Sequence, residues 1–92
     1  MKAVEFSVAA RRDLVRLQEW LDERAPRAAG EAVDILIAAA QSLAEFPERG
    51  QLVRAGLREL VVPFGSAGYV LQYGVGPRRV IIAHIFHTLE DR

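Results

Sequence analysis

The chain has no cysteine among its 92 residues, which excludes a disulfide framework and any thiolate-held metal. It has no excess of either charge: Lys+Arg and Asp+Glu both total 12, for a formal net charge of +0. Phosphate neutralisation supplies most non-specific affinity for nucleic acid, so direct DNA binding by this chain alone is not expected. No stretch reaches the roughly 18 consecutive apolar residues that a membrane-spanning helix needs. Glu5 interrupts the apolar run that a secretory signal requires near the N-terminus. The expectation is a cytoplasmic protein with no membrane association. No repeat, low-complexity tract or linker divides the chain, and its length suits one domain over residues 1–92.

What is present is a globular composition, 51% hydrophobic and 26% charged. Val4 and Phe6 alternate with Glu5 as a short first strand. Ser7 then offers a capping hydroxyl, and Ala10, Leu14, Leu17 and Leu21 follow at helical spacing as one apolar stripe. Asp13, Arg16 and Glu19, at steps of three, read as solvated pairs on the helix surface. This helix should end before Pro26, because the residue preceding proline is pushed out of the α region. A second, alanine-rich helix is predicted from about Arg27 to Phe46, stopped by Pro47 and Gly50. Its rows Ile35, Ala39, Ser42 and Ala32, Leu36, Ala40, Leu43 give a broad buried face. A connection of about three residues makes the pair an antiparallel helical hairpin.

The remainder reads as strands over Leu57–Pro63, Tyr69–Val75 and Arg79–His87, rich in β-branched and aromatic residues and separated by glycine-containing turns. Strict alternation in the last strand places Val80, Ile82, His84 and Phe86 on one face and Ile81, Ala83, Ile85 and His87 on the other. Apolar residues on both faces suit an interior strand, with the N-terminal strand added at an edge. The predicted fold is α+β, in the order β-α-α-β-β-β, with the helical hairpin packed on an antiparallel sheet. The two histidines lie on opposite faces and no carboxylate stands at ligand spacing, so no metal site and no cofactor are expected.

That order, together with particular segments, resembles the RelE/ParE toxin family of type II toxin–antitoxin systems, with its ParE branch favoured. The segments are Val4-Glu5-Phe6-Ser7 followed by Ala10 and Asp13-Leu14; Leu43-Ala44-Glu45-Phe46-Pro47 with Gly50; Leu57-Arg58-Glu59-Leu60-Val61-Val62; Gly68-Tyr69-Val70-Leu71-Gln72-Tyr73; and Ile85-Phe86-His87. The resemblance implies a partner antitoxin, ParD-like with a ribbon-helix-helix N-terminus, whose C-terminal segment folds along the toxin. For the ParE branch it implies poisoning of DNA gyrase; for the RelE branch, cleavage of messenger RNA in the ribosomal A site.

RNA transesterification needs a base for the 2′-hydroxyl, an acid for the leaving oxygen and cations for the phosphorane charge. The sequence supplies few. The residues around Tyr69 are Phe64-Gly65-Ser66-Ala67-Gly68 before it and Val70 after it, where RelE-like nucleases commonly carry arginine. Arg58, His87 and Tyr73 are the set left for a nuclease, so the favoured reading expects no catalytic residues. Arg58, Arg78, Arg79, His87 and Arg92 are candidates for contact with the target. The acidic tail Thr88-Leu89-Glu90-Asp91-Arg92 departs from the His-Gly-Arg-Arg type commoner in the ParE branch. Trp20, Leu21, Phe64 and Tyr69 are candidates for antitoxin binding. Several residues have plainer alternatives: Trp20 as core, Tyr69 and Tyr73 as core with their hydroxyls at the rim, Arg58 in a structural ion pair, His84 in a core or half-buried structural role, and His87 as a hydrogen-bonded strand-end residue.

Overall fold

The computed structural model describes residues 1–88 of the chain. Strand β1 (Ala3–Phe6) leads into helix α1 (Val8–Arg24), whose start is set by Ser7: the backbone is extended there and the hydroxyl accepts from the Ala10 N–H at 3.0 Å. Helix α2 (Pro26–Ser42) follows after the single residue Ala25. Proline therefore begins the second helix instead of merely preceding it. At the first helical position its missing N–H costs nothing and its fixed φ suits the helix. At the other end, α2 stops at Ser42 and the chain passes through turns to Pro47.

Four more strands complete the sheet: β2 (Gln51–Arg54), β3 (Leu57–Phe64), β4 (Ala67–Val75) and β5 (Arg79–His87), in the spatial order β1-β5-β4-β3-β2. Two expectations are corrected. The sheet is mixed, because β1 pairs with β5 in parallel, Ala3 opposite Arg79 through Phe6 opposite Ile82. The whole length of α1 and α2 separates β1 from the meander, so no hairpin connection forces the antiparallel arrangement. The second correction is β2, which pairs antiparallel with β3 at the far edge. All four of its residues are exposed, so it lacks the alternation by which strands are recognised. The interior place of β5, between β1 and β4, agrees with its apolar residues on both sides.

The core lies between the helical hairpin and one face of the sheet. Ala10, Leu17 and Leu21 from α1 and Ala29, Ala32, Leu36 and Ala40 from α2 meet Leu60, Val62, Tyr69, Leu71, Tyr73, Val80, Ile82 and Ile85. The small side chains of α2 fit a helix laid close against its neighbours, and Leu36 and Leu43 fill the remaining depth.

A bulge in β5 changes which residues face that core. Tyr73 stands opposite Ile82 but Gln72 stands opposite His84, so Ala83 is an extra residue without a partner. The alternation therefore inverts: Val80, Ile82, Ile85 and His87 share the helix-covered face, while Ile81, His84 and Phe86 share the open one. The open-face stacking of His84 on Phe86, centroids 5.5 Å apart, agrees. Strict period-two counting had put His84 beside Ile82.

Where β1 ends, the start of α1 closes the exposed edge of β5. The Ser7 N–H donates to the Ile82 carbonyl at 2.9 Å and the Ser7 hydroxyl to the Ala83 carbonyl at 2.8 Å. Asp13 then accepts from the Ile85 N–H at 2.9 Å and from His84 Nδ1 at 3.1 Å. Its link to Arg16 is long, 3.8 Å. Asp13 is thus a strand cap as well as a surface partner on the helix.

Candidate functional site

The sequence candidates separate into two corners of the helix-covered sheet face. At the first, Tyr73 is fully buried on β4 opposite Arg58 on β3. Its hydroxyl donates to the Pro47 carbonyl at 2.8 Å and accepts from the Gly50 N–H at 2.8 Å. Arg58 reaches the same turn, donating to the Gly50 carbonyl at 2.8 Å and to that of Glu48 at 3.5 Å. Gly50 is required by this closure: a Cβ there would lie 2.6 Å from the Tyr73 hydroxyl oxygen and 2.9 Å from the Glu59 carbonyl. Burial pushes the Tyr73 phenol above its usual pKa; the Gly50 N–H and the charges of Arg58 and Arg49 pull the other way but do not prevail.

The second corner lies about 13 Å along β4, four residues at roughly 3.3 Å each. Here Tyr69 is opposite His87 on β5 and Val62 on β3. The His87 ring meets Tyr69 edge to face at 5.4 Å, and half-buried Phe64 tilts against Tyr69 at 6.0 Å. Burial raises the Tyr69 phenol pKa as well. The register that puts Arg58 beside Tyr73 therefore holds His87 away from both. The nuclease candidates Arg58, Tyr73 and His87 are not brought together.

The remaining candidates scatter further. Arg78 and Arg79 are exposed at the β4–β5 turn, where Arg79 pairs with Glu5 at 3.3 Å on the open face and Lys2 donates to the carbonyls of Gly76 and Pro77. Arg92 lies outside the described residues. Of the antitoxin candidates, Leu21 and Tyr69 are buried in the core, whereas Trp20 is 50% exposed with the Arg24 guanidinium 4.2 Å above its ring. Among the described residues, no cluster of three or more His, Asp or Glu side chains is arranged to hold a metal, and no helix is long and apolar enough to cross a membrane.

The parallel β1, the two-helix hairpin and the meander invite comparison with known proteins. Residues 4–92 match the family of the ParE toxin of the type II toxin–antitoxin system, parDE. The chain belongs to this family. Toxin RelE3 of Caulobacter vibrioides is 49% identical over 92 residues, covering 100% of both chains. Toxin RelE1 of the same organism is 45% identical over 97% of this chain and 96% of its own. Among solved structures, a chain of the chromosomal ParDE system of P. aeruginosa superposes with a TM-score of 0.81 at 17% identity, covering 96% of this chain and 97% of that one. A chain of the RelBE2 toxin–antitoxin complex of Mycobacterium tuberculosis gives 0.64 at 26% identity, covering 94% and 96%. The protein is thus a type II toxin of the ParE/RelE superfamily.

Sequence reasoning passed over one feature of this toxin's surface. On α1, Val8 and Val15 are 62% and 53% exposed, seven residues apart and directly opposite the Ala10–Leu17–Leu21 stripe. Arg11, Arg12, Arg16 and Glu19 surround them in a shallow depression. A second apolar period on the far side of the same helix was the available signal; the stronger core stripe drew attention from it.

Proposed function

We propose that this toxin acts without catalysis, by presenting a surface to DNA gyrase, and that a ParD-like antitoxin neutralises it. One observation carries the reading: the residues a nuclease would need are apart, and those that do meet are engaged in holding the fold. The Tyr73 hydroxyl, with both a donor and an acceptor contact and a raised pKa, is poorly suited to exchange a proton near neutrality. The Arg58 guanidinium donates to backbone carbonyls of the 48–50 turn, which occupies part of its hydrogen-bonding capacity in holding the fold. Membership of the ParE family supports the gyrase target, and the likeness to chains from ParDE and RelBE2 assemblies supports an antitoxin partner.

A second reading, ribosome-dependent cleavage of messenger RNA, is favoured by the RelE names its relatives carry. Purified gyrase separates the two. Supercoiling should fall at saturating toxin, and unaffected supercoiling would overturn the gyrase reading. Translating ribosomes incubated with the toxin should yield intact transcripts. Primer extension that showed A-site cuts, abolished by Arg58→Ala or His87→Ala in folded protein, would replace the surface mechanism with the nuclease one.

A further inference from the structure

Helix α1 carries two apolar lines, and among the described residues only one joins the core. The inner line builds the core. The outer line, Val8 and Val15, leaves two β-branched side chains more than half exposed among the described residues, where they neither favour the helix nor join the core. Arg11 and Arg12 lie between them along the axis. Both are exposed, and neither forms a side-chain hydrogen bond or ion pair with a described residue. Arg16, which touches Asp13, extends the basic flank, and Glu19 ends the stripe.

The electrostatics of the helix point the same way. No acidic residue occupies its first turn, so the helix supplies no carboxylate of its own to the positive end of its dipole, and two guanidinium groups follow directly. Left alone, this is an unfavourable stacking of like charge. Opposite an anionic partner it becomes cooperative, since the dipole and the arginines attract the same carboxylates. The stripe from Val8 to Glu19 spans about 17 Å at 1.5 Å per residue, the length of three turns of an accepting or donating helix.

We propose that this outer face of α1 is the docking site for an acidic, aliphatic segment of the antitoxin, with its aliphatic side chains on Val8 and Val15 and its carboxylates on Arg11 and Arg12. The proposal rests on the antitoxin partnership proposed above and adds the surface and the chemistry. It also replaces Leu21 and Tyr69 as anchors, since both are enclosed by the core.

The test uses the full toxin and the purified product of the reading frame adjacent to its own. Arg11→Glu/Arg12→Glu should weaken the complex about a hundredfold at low salt, the scale of breaking desolvated charge pairs. Raising ionic strength should weaken the wild-type complex more steeply than the variant one. Val15→Asp should weaken it as well. Arg27→Glu/Arg54→Glu, an equal charge change at exposed sites off this face, should retain wild-type affinity, and circular dichroism melts check that each variant is folded. Equal binding by the wild type and the α1 variants would overturn this docking site while leaving the antitoxin reading intact. Equal weakening by the Arg27/Arg54 control would reduce the effect to net charge and overturn it too. No binding by the wild type would sink the antitoxin reading itself. If the α1 variants kept antitoxin affinity but lost gyrase inhibition, the face would belong to the target and the proposal would fall.

Discussion

Two tyrosines on one strand, facing the same core, do different work. Tyr73 and Tyr69 both point from β4 toward the helices, and both are nearly inaccessible. The Tyr73 hydroxyl ties the turn after α2 to the sheet through Pro47 and Gly50, with Arg58 bonded to the same turn. Among the described residues, the Tyr69 hydroxyl has no comparable hydrogen bond, and its ring works by contact with Phe64 and His87. One end of the sheet is held by a polar lock, the other by aromatic packing. The lesson is that a tyrosine and an arginine side by side are not evidence of chemistry until their hydrogen-bonding capacity is accounted for.

The comparison can be broken most directly at Tyr73. Replacing it with alanine empties a fully buried aromatic site and cuts the turn loose, and should destabilise the fold by about 3–5 kcal/mol in denaturant titration. A loss below about 1 kcal/mol would mean that the corner collapses without cost. Tyr73→Phe keeps the ring and removes only the lock. It leaves the Gly50 N–H and the Pro47 carbonyl without their partner, at about 1–3 kcal/mol.

Alkaline titration offers a milder probe of both corners. Burial raises both phenols above the ordinary tyrosine value of 10.0, so the native state holds these protons more tightly than the unfolded chain. Stability from this source is fully present below pH 10 and is lost as pH rises from there through the folded pKa values. The alkaline loss should be shallower in Tyr73→Phe and shallowest when Tyr69 is also replaced by Phe; an identical pH profile in all three proteins would contradict the burial argument. The smallest effect belongs to Tyr69→Phe alone. With no lock to remove, it should shift stability by no more than about 0.5 kcal/mol near neutral pH. A cost equal to that of Tyr73→Phe would erase the distinction between the corners.

Much of the fold was legible in the residues. The Ser7 cap was readable as a local start signal, and the Ala10–Leu14–Leu17–Leu21 stripe and the alanine-rich second helix because their apolar residues repeat at helical period. The β3–β4–β5 meander was readable because short glycine-containing turns leave few other pairings. The candidate site was less so. Trp20 sits between the inner and outer faces of α1, where period alone cannot decide burial, and it proves half exposed with Arg24 over its ring. Arg58, read as either a target contact or half of an ion pair, meets carbonyls of the 48–50 turn.

Local order along the chain determined that this protein would be a helical hairpin on a sheet, and enough short segments agreed to indicate its family. Only the tertiary structure decided that β1 runs parallel beside β5, because that pairing joins residues more than 70 positions apart and leaves no mark on either segment. The unpartnered Ala83, which exchanges the faces of His84 and Ile85, was likewise decided by pairing across strands. So was the separation of His87 from Arg58 and Tyr73. Periodicity records how a segment meets its own neighbours; which groups share a site depends on register, and register is fixed only when the strands and helices close on one another.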